Sequence, residues 1–346
     1  MSDFCQKNIS KLALFLQQND HFVVTTHNNP DGDALGSSTA FCYFLHQMGK
    51  TCTLVLPDAP PESLSFLFYG DEPFSYFSLT DKALEAEQTI LSAGALVCLD
   101  FNGLHRTKCG EFIRKATCPK LLIDHHLDPE RENFDIVLSQ TQISSACECV
   151  YQALMALPQI SNQAELLPAR TAYALMTGMT TDTNNFANSV YPSTLRMASA
   201  LLEAGVDRDD IIQKIYFRYR ENRLRAQGYI LNEKLKISPE GVAYVVLSRA
   251  ELEKFDLQEG ETEGFVNIPL SLDKVCMSIL IREYPDRYRV SIRSKKGTSA
   301  NMWARMCFNG GGHENASGGN LDRTLFADAS QVEEYVESAI AQFFAQ

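Results

Sequence analysis

Apolar and polar positions along this chain follow two different periods. Between Ile9 and Gln18 the apolar residues recur at helical intervals, and the β-branched run from His21 to Thr26 (HFVVTT) reads as a short buried strand. A polar loop follows. From Ala34 to Met48, Leu35, Phe41, Phe44, Leu45 and Met48 restore the helical spacing, and Thr51 to Leu56 (TCTLVL) gives a second strand. Further short apolar strands are predicted at Ala95 to Leu99 and Leu121 to Ile123, each followed at once by acidic or histidine residues. Strands alternating with helices in this way predict an α/β fold, a parallel sheet with helices on both faces. In such sheets ligands sit beyond the carboxyl ends of the strands, where these polar residues fall.

The remainder has a different texture. An apolar helix is predicted from Pro168 to Met176, another from Ser193 to Ala204, and one long arginine-rich connecting helix from Asp207 to about Leu235. Strand patterns at Val242 to Leu247, Val275 to Arg282 and Tyr288 to Arg293 precede a glycine cluster and a last helix from Ala329 to Phe344. A chain of 346 residues exceeds one ordinary core, so two domains are expected. The patterning divides it into a parallel-sheet domain at 1–190, a helical linker at 191–240 and a smaller α/β domain at 241–346.

Composition narrows the classes. Hydrophobic residues at 45% and charged residues at 21% are ordinary for a globular chain, which excludes general disorder. No apolar run approaches the roughly eighteen residues of a membrane span and no secretory leader is evident, so a cytoplasmic protein without a membrane partner is expected. The 10 cysteines are scattered without a CxxC pair and are read as reduced thiols. A net charge of −12 argues against binding long nucleic-acid duplexes, whose affinity comes from many cationic contacts to phosphate. Any polyanionic substrate must therefore be short. One stretch, from Ile281 to Arg305, is locally basic, with Arg282, Arg287, Arg289, Arg293, Lys295, Lys296 and Arg305.

Five clusters could carry chemistry. His27-Asn-Asn-Pro-Asp31-Gly-Asp33 stands between a strand and a helix; capping accounts for one aspartate but not for the whole set. Asp100 ends a strand, where a turn former is the plain alternative. Asp124-His125-His126 ends another, and carboxylate with imidazole suits Mn, Fe or Zn. Asp182 lies in GMTTDTNNF, where taken alone it reads as a solvated turn residue. Together these supply enough ligands for two divalent cations, an arrangement suited to phosphoester hydrolysis. The fifth cluster, Gly310 to Gly319 (GGGHENASGG) beside Arg293-Ser294-Lys295, offers backbone amides and cations to a phosphate; a plain glycine loop is its alternative.

In order along the chain, HNNPDGDALGS, LDFN, DHH, GMTTDT, and RSK followed by GGGHENASGG resemble the DHH phosphoesterases, and more closely their DHH/DHHA1 members of the nanoRNase and pAp phosphatase type. The resemblance covers nearly the whole chain. It implies that His27 and Asp31 hold one cation, that Asp33, His125 and Asp182 hold the other, and that Asp100 bridges them, with Mn²⁺ the usual ion. It further implies His126 as general acid supported by Asp124, and Arg293, Ser294, Gly311, Gly312, His313 and Asn315 as substrate contacts. Where the family signature commonly reads Ala-Ala-Gly, this chain has Ala316-Ser317-Gly318. The expected substrates are short RNA or DNA oligonucleotides and 3′,5′-bisphosphate nucleotides such as pAp, with a homodimer as the candidate assembly. The alternatives are a linear or cyclic di-AMP phosphodiesterase, a RecJ-like exonuclease, a family II pyrophosphatase and a catalytically silent nucleotide-binding protein.

Overall fold

Each β-branched run of the first half forms a strand whose residues point alternately into two apolar layers. The computed structural model describes residues 3–258 and 260–345. It separates into two compact units, Met1–Arg218 and Tyr219–Gln346. In chain order the first contains α1 (Asp3–Gln18), β1 (Phe22–Thr25), α2 (Gly32–Gln47), β2 (Cys52–Leu56), β3 (Ser75–Ser78), α3 (Ala83–Leu91) and β4 (Ala95–Leu99). There follow α4 (Gly110–Lys115), β5 (Lys120–Asp124), β6 (Ile136–Ser139), α5 (Ala146–Met155), α6 (Ala169–Asp182), α7 (Pro192–Glu203) and α8 (Arg208–Tyr216).

The six strands pair in the order β3-β2-β1-β4-β5-β6, every pair parallel. On one face Val24, Leu54, Val97 and Leu121 pack with residues of α1, α2, α5 and α6. On the other, Val23, Val55, Leu96 and Leu122 pack with residues of α3 and α4. Strand order reverses between β1 and β4, which opens a crevice at their carboxyl ends.

Two glycine contacts set the geometry of that crevice. A Cβ on Gly36 would stand 2.7 Å from the Ala174 carbonyl oxygen, and one on Gly178 would stand 2.2 Å from Cys147 Sγ. Only bare backbone lets α2, α5 and α6 approach this closely. The start of α2 and the end of α6 consequently lie side by side.

The second unit contains α9 (Glu221–Tyr229), β7 (Lys236–Ile237), β8 (Val242–Leu247), α10 (Arg249–Lys254), β9 (Met277–Glu283) and β10 (Arg287–Ser294). It continues with α11 (Ala300–Cys307), β11 (Gly311–Gly312), β12 (Ala316–Asp322) and α12 (Ala329–Phe344). Its sheet runs β11-β12-β10-β9-β8-β7, with β8 and β9 parallel and the other pairs antiparallel. Trp303, Phe308 and Phe343 from the helical side fill one face with Tyr288, Val290 and Ile292 of β10. Ile230, Phe265 and Val266 cover Val245, Leu247 and Leu280 on the other.

Two expectations need correction. The long helix from Asp207 to about Leu235 is broken after Tyr216 and resumes at Glu221. Arg220 leaves helical geometry because its guanidinium binds Glu261 at 2.8 Å and Asp256 at 3.0 Å, so tertiary ion pairs win over helix propagation. The glycine cluster, expected as a loop, is a hairpin: β11 and most of β12 are built from it.

Candidate metal centre

The loop after β1 is shaped by its own polar groups. His27 Nδ1 meets the Asn28 carbonyl at 2.8 Å, which assigns the proton to Nδ1 and turns Nε2 toward the crevice. Asp31 caps α2, its Oδ1 accepting the amides of Asp33 and Ala34 at 3.1 Å each. Capping and crevice-facing roles therefore coexist in one residue. Asp33, buried in the first turn of α2, accepts the Ala146 amide at 2.6 Å and the Cys147 amide at 2.9 Å. These belong to the first turn of α5, whose unpaired amides favour an anion.

Asp100 follows β4 with φ at +62°, a left-handed conformation that swings its carboxylate into the crevice. Asp124 closes β5 and is fully buried; its Oδ1 accepts His126 Nδ1–H at 2.8 Å and its Oδ2 the His126 amide at 3.1 Å. Asp182 ends α6. Residues from β1, β4, β5, α2 and α6 thus meet at the point where strand order reverses.

The distances define two groups joined by one carboxylate. His27 Nε2 lies 3.7 Å from Asp31 Oδ1 and 3.3 Å from Asp100 Oδ2. His125 Nε2 lies 3.6 Å from Asp33 Oδ2, 3.8 Å from Asp182 Oδ2 and 3.4 Å from Asp100 Oδ1. In the sets His27/Asp31/Asp100 and Asp33/His125/Asp182, the candidate ligand atoms all lie within 4.8 Å of one another. Asp100 Oδ1 is buried with no hydrogen-bond partner, an uncommon and costly condition.

The electrostatics follow from crowding of like charges. Burial works against the charged form of His27, but Asp100 and Asp31 outweigh it and hold the imidazole well above its usual range. His125, opposed likewise by burial, is raised to about 10 by Asp100, Asp182 and Asp33. Burial, then Asp100 and Asp182, push Asp33 well above the ordinary carboxylate range. Burial also opposes ionisation of Asp100, yet His125 and His27 hold it well below that range. His126 differs, for burial lowers its proton affinity, with Arg106 and His125 adding to the effect against Asp124. The crevice asks for positive charge at two places, and divalent cations suit its oxygen and imidazole donors.

The second unit's predicted residues behave otherwise. Asn315 Nδ2 donates to Ser294 Oγ at 2.9 Å and lies near the carbonyls of Lys295 and Thr298, while Ser294 Oγ donates to Thr298 O at 2.6 Å. Both side chains pin the turn after β10 against the glycine hairpin. His313 turns that hairpin, its amide donating to Ala316 O at 2.8 Å, and Gly312 O accepts the Asn301 side-chain amide. Ser317 fits where the resemblance has alanine because its hydroxyl donates to His313 O at 2.8 Å. Gly311 pairs with Gly318 across the ladder, and a Cβ on Gly310 would stand 1.9 Å from Gly318 O. Arg293, next to last in β10, has Nη1 donating to Ile292 O at 2.9 Å.

Sequence reasoning missed Arg106. It stands in the loop after Asp100, its backbone oxygen accepting the Asn28 amide at 3.0 Å. Its distance along the chain from Asp100 carries no recognisable motif.

Residues 21–179 match the DHH family N-terminal domain, and residues 240–345 match the DHHA1 domain. The probable bifunctional oligoribonuclease and PAP phosphatase NrnA of Streptococcus mutans is 30% identical over 309 residues, 87% of this chain and 89% of that protein. The chain belongs to the DHH family. Within that family, the bifunctional oligoribonuclease and PAP phosphatase NrnA of Thermus thermophilus is also 30% identical, over 86% of this chain and 83% of its own length. Among solved DHH relatives, an exopolyphosphatase-related protein from Bacteroides fragilis superposes with a TM-score of 0.88 at 33% identity, covering 98% of this chain and 96% of that one.

Proposed function

We propose that this DHH-family phosphoesterase hydrolyses short oligonucleotides and removes phosphate from 3′,5′-bisphosphate nucleotides such as pAp, using two divalent cations, with Mn²⁺ the expected ion. The names of the relatives in Streptococcus mutans and Thermus thermophilus support both activities. The observation that carries the mechanism is Asp100, whose two oxygens face His27 and His125 at 3.3 and 3.4 Å, one of them without a hydrogen bond. A carboxylate placed in this way suits two ions at once. Among the described residues no helix is long and apolar enough to cross a membrane.

His27 and Asp31 would hold one cation, Asp33, His125 and Asp182 the other, and Asp100 both. Cations bound there supply Lewis acidity to the phosphoryl oxygens and ready a water for attack. The chain's own groups do the rest. The α5 amides fix Asp33 so that it cannot swing away with the substrate. Asp124 fixes the His126 tautomer, and burial leaves the imidazolium ready to release a proton to the leaving oxygen. In the second unit Arg293 and His313 are the proposed contacts to the nucleotide, with Ser294, Asn315, Gly311 and Gly312 shaping the turns that carry them.

The test is a panel of dinucleotides, longer single strands, pAp, and linear and cyclic di-AMP, supplied to the purified protein with Mn²⁺. Fast turnover of dinucleotides and pAp with slow turnover of long strands is expected. Preference for cyclic di-AMP, or indifference to length, overturns the substrate assignment.

A further inference from the structure

Three basic side chains stand within four positions of one another in the loop after β4: the imidazole of His105, the guanidinium of Arg106 and the ammonium of Lys108. Two are committed. His105 Nδ1 meets Glu130 Oε1 at 2.9 Å, and Lys108 is paired with Asp58. The half-buried Arg106 guanidinium makes no hydrogen bond and no ion pair among the described residues.

The loop itself is firmly placed. Glu130 Oε2 accepts the Leu104 amide at 3.0 Å, and the Glu130 amide donates to Asn102 O at 2.7 Å. Asn28 is clamped from both sides, its amide donating to Arg106 O at 3.0 Å and its Oδ1 accepting the Lys108 amide at 2.7 Å. Asn28 is also the residue whose carbonyl receives His27 Nδ1–H at 2.8 Å. The Arg106 backbone is therefore tied to the same loop that carries His27 and Asp31. A guanidinium with no bonded partner, carried on a firmly placed loop beside a crevice crowded with carboxylates, has a partner to gain, and a phosphoryl group fits its fork of donors.

We infer that Arg106 grips the non-bridging oxygens of the scissile phosphate and sets the balance between monoester and diester hydrolysis. The inference rests on the phosphoesterase reading above and adds a specificity determinant to it. A terminal phosphate monoester carries close to two negative charges at neutral pH, whereas an internucleotide diester carries one. Removal of a fixed cation costs the dianion more. A terminal phosphate also presents three equivalent oxygens, two of which can take the bidentate fork.

The experiment compares the full chain with Arg106→Gln and Arg106→Lys, each loaded with Mn²⁺. Substrate pairs are pAp against a dinucleotide, and p-nitrophenyl phosphate against bis(p-nitrophenyl) phosphate. Arg106→Gln should lower kcat/KM for the monoesters on the order of 100-fold and for the diesters on the order of 10-fold, with Arg106→Lys between wild type and Arg106→Gln. Mn²⁺ affinity by calorimetry should stay unchanged, which separates a substrate contact from a collapsed loop. Equal losses on both esters, no loss, or weakened Mn²⁺ binding overturns the inference. A wild-type protein active on the nitrophenyl esters but not on nucleotides refutes the substrate assignment and still tests Arg106. A wild type inactive on all four substrates refutes both readings.

Discussion

The crevice of the first unit and the hairpin of the second are both dense in polar signature residues, yet they satisfy those residues in opposite ways. Around Asp100, carboxylates and imidazoles crowd together, one oxygen has no hydrogen bond, and proton affinities are displaced in both directions. Around Asn315, the amide and hydroxyl groups of Ser294, Ser317 and Asn301 are spent on neighbouring carbonyls. Frustration marks the place that needs an ion, and saturation marks scaffold. Motif density alone does not distinguish them.

Three changes would sharpen or break that contrast. The largest effect is expected from Asp100→Asn, which keeps shape and removes the shared charge. Turnover should fall by on the order of 10³-fold, the equivalent of several kcal/mol of lost charge stabilisation. Calorimetry should show weakened Mn²⁺ binding, while the thermal midpoint of the ion-free protein at pH 10, where the stability from His27 and His125 is already largely lost, stays near that of wild type. A large drop in that midpoint would mean that Asp100 is scaffold after all.

Next in size is Gly310→Ala in the hairpin, whose new Cβ would stand 1.9 Å from a backbone oxygen. A loss of about 2–4 kcal/mol is expected by denaturant titration, with Mn²⁺ affinity retained. Weakened Mn²⁺ affinity with unchanged stability would reverse the roles assigned to the two regions.

The smallest effect is a pH slope confined to the crevice. His27 and His125 are raised in the folded protein, His125 to about 10, so the stability they contribute is complete below the unfolded imidazole range and is lost as pH climbs toward 10. The thermal midpoint of the ion-free protein should therefore fall between pH 7 and pH 10. Saturating Mn²⁺ should abolish the fall, because cations take the deprotonated imidazoles, and proton release should accompany binding at pH 7. Identical slopes with and without Mn²⁺ would show that the ion binds elsewhere.

Much of the crevice was legible in the sequence because each strand that feeds it is a short apolar run, and the polar residue that ends the run has nowhere else to point. His27, Asp100, Asp124 and His125 were found in this way. The edge strands β3 and β6 were not, since Ser75–Ser78 and Ile136–Ser139 are partly exposed and show no clean alternation. The glycine hairpin was read as a loop because a glycine's need for close backbone approach is visible only once its neighbour is in place. Arg106 escaped for a related reason: being unpaired is a tertiary property, produced by Glu130 and Asp58 claiming His105 and Lys108 on either side of it.

The bare surfaces of Gly36 and Gly178 act as the gauge of this enzyme. They fix how far apart the helices bearing Asp33 and Asp182 stand, and hence the bite offered to whatever sits between those carboxylates. A single methyl group added one or two turns away would open the jaw without altering any donor. On the two-cation proposal, the choice among ions of different radius would thereby rest partly on residues that never touch one.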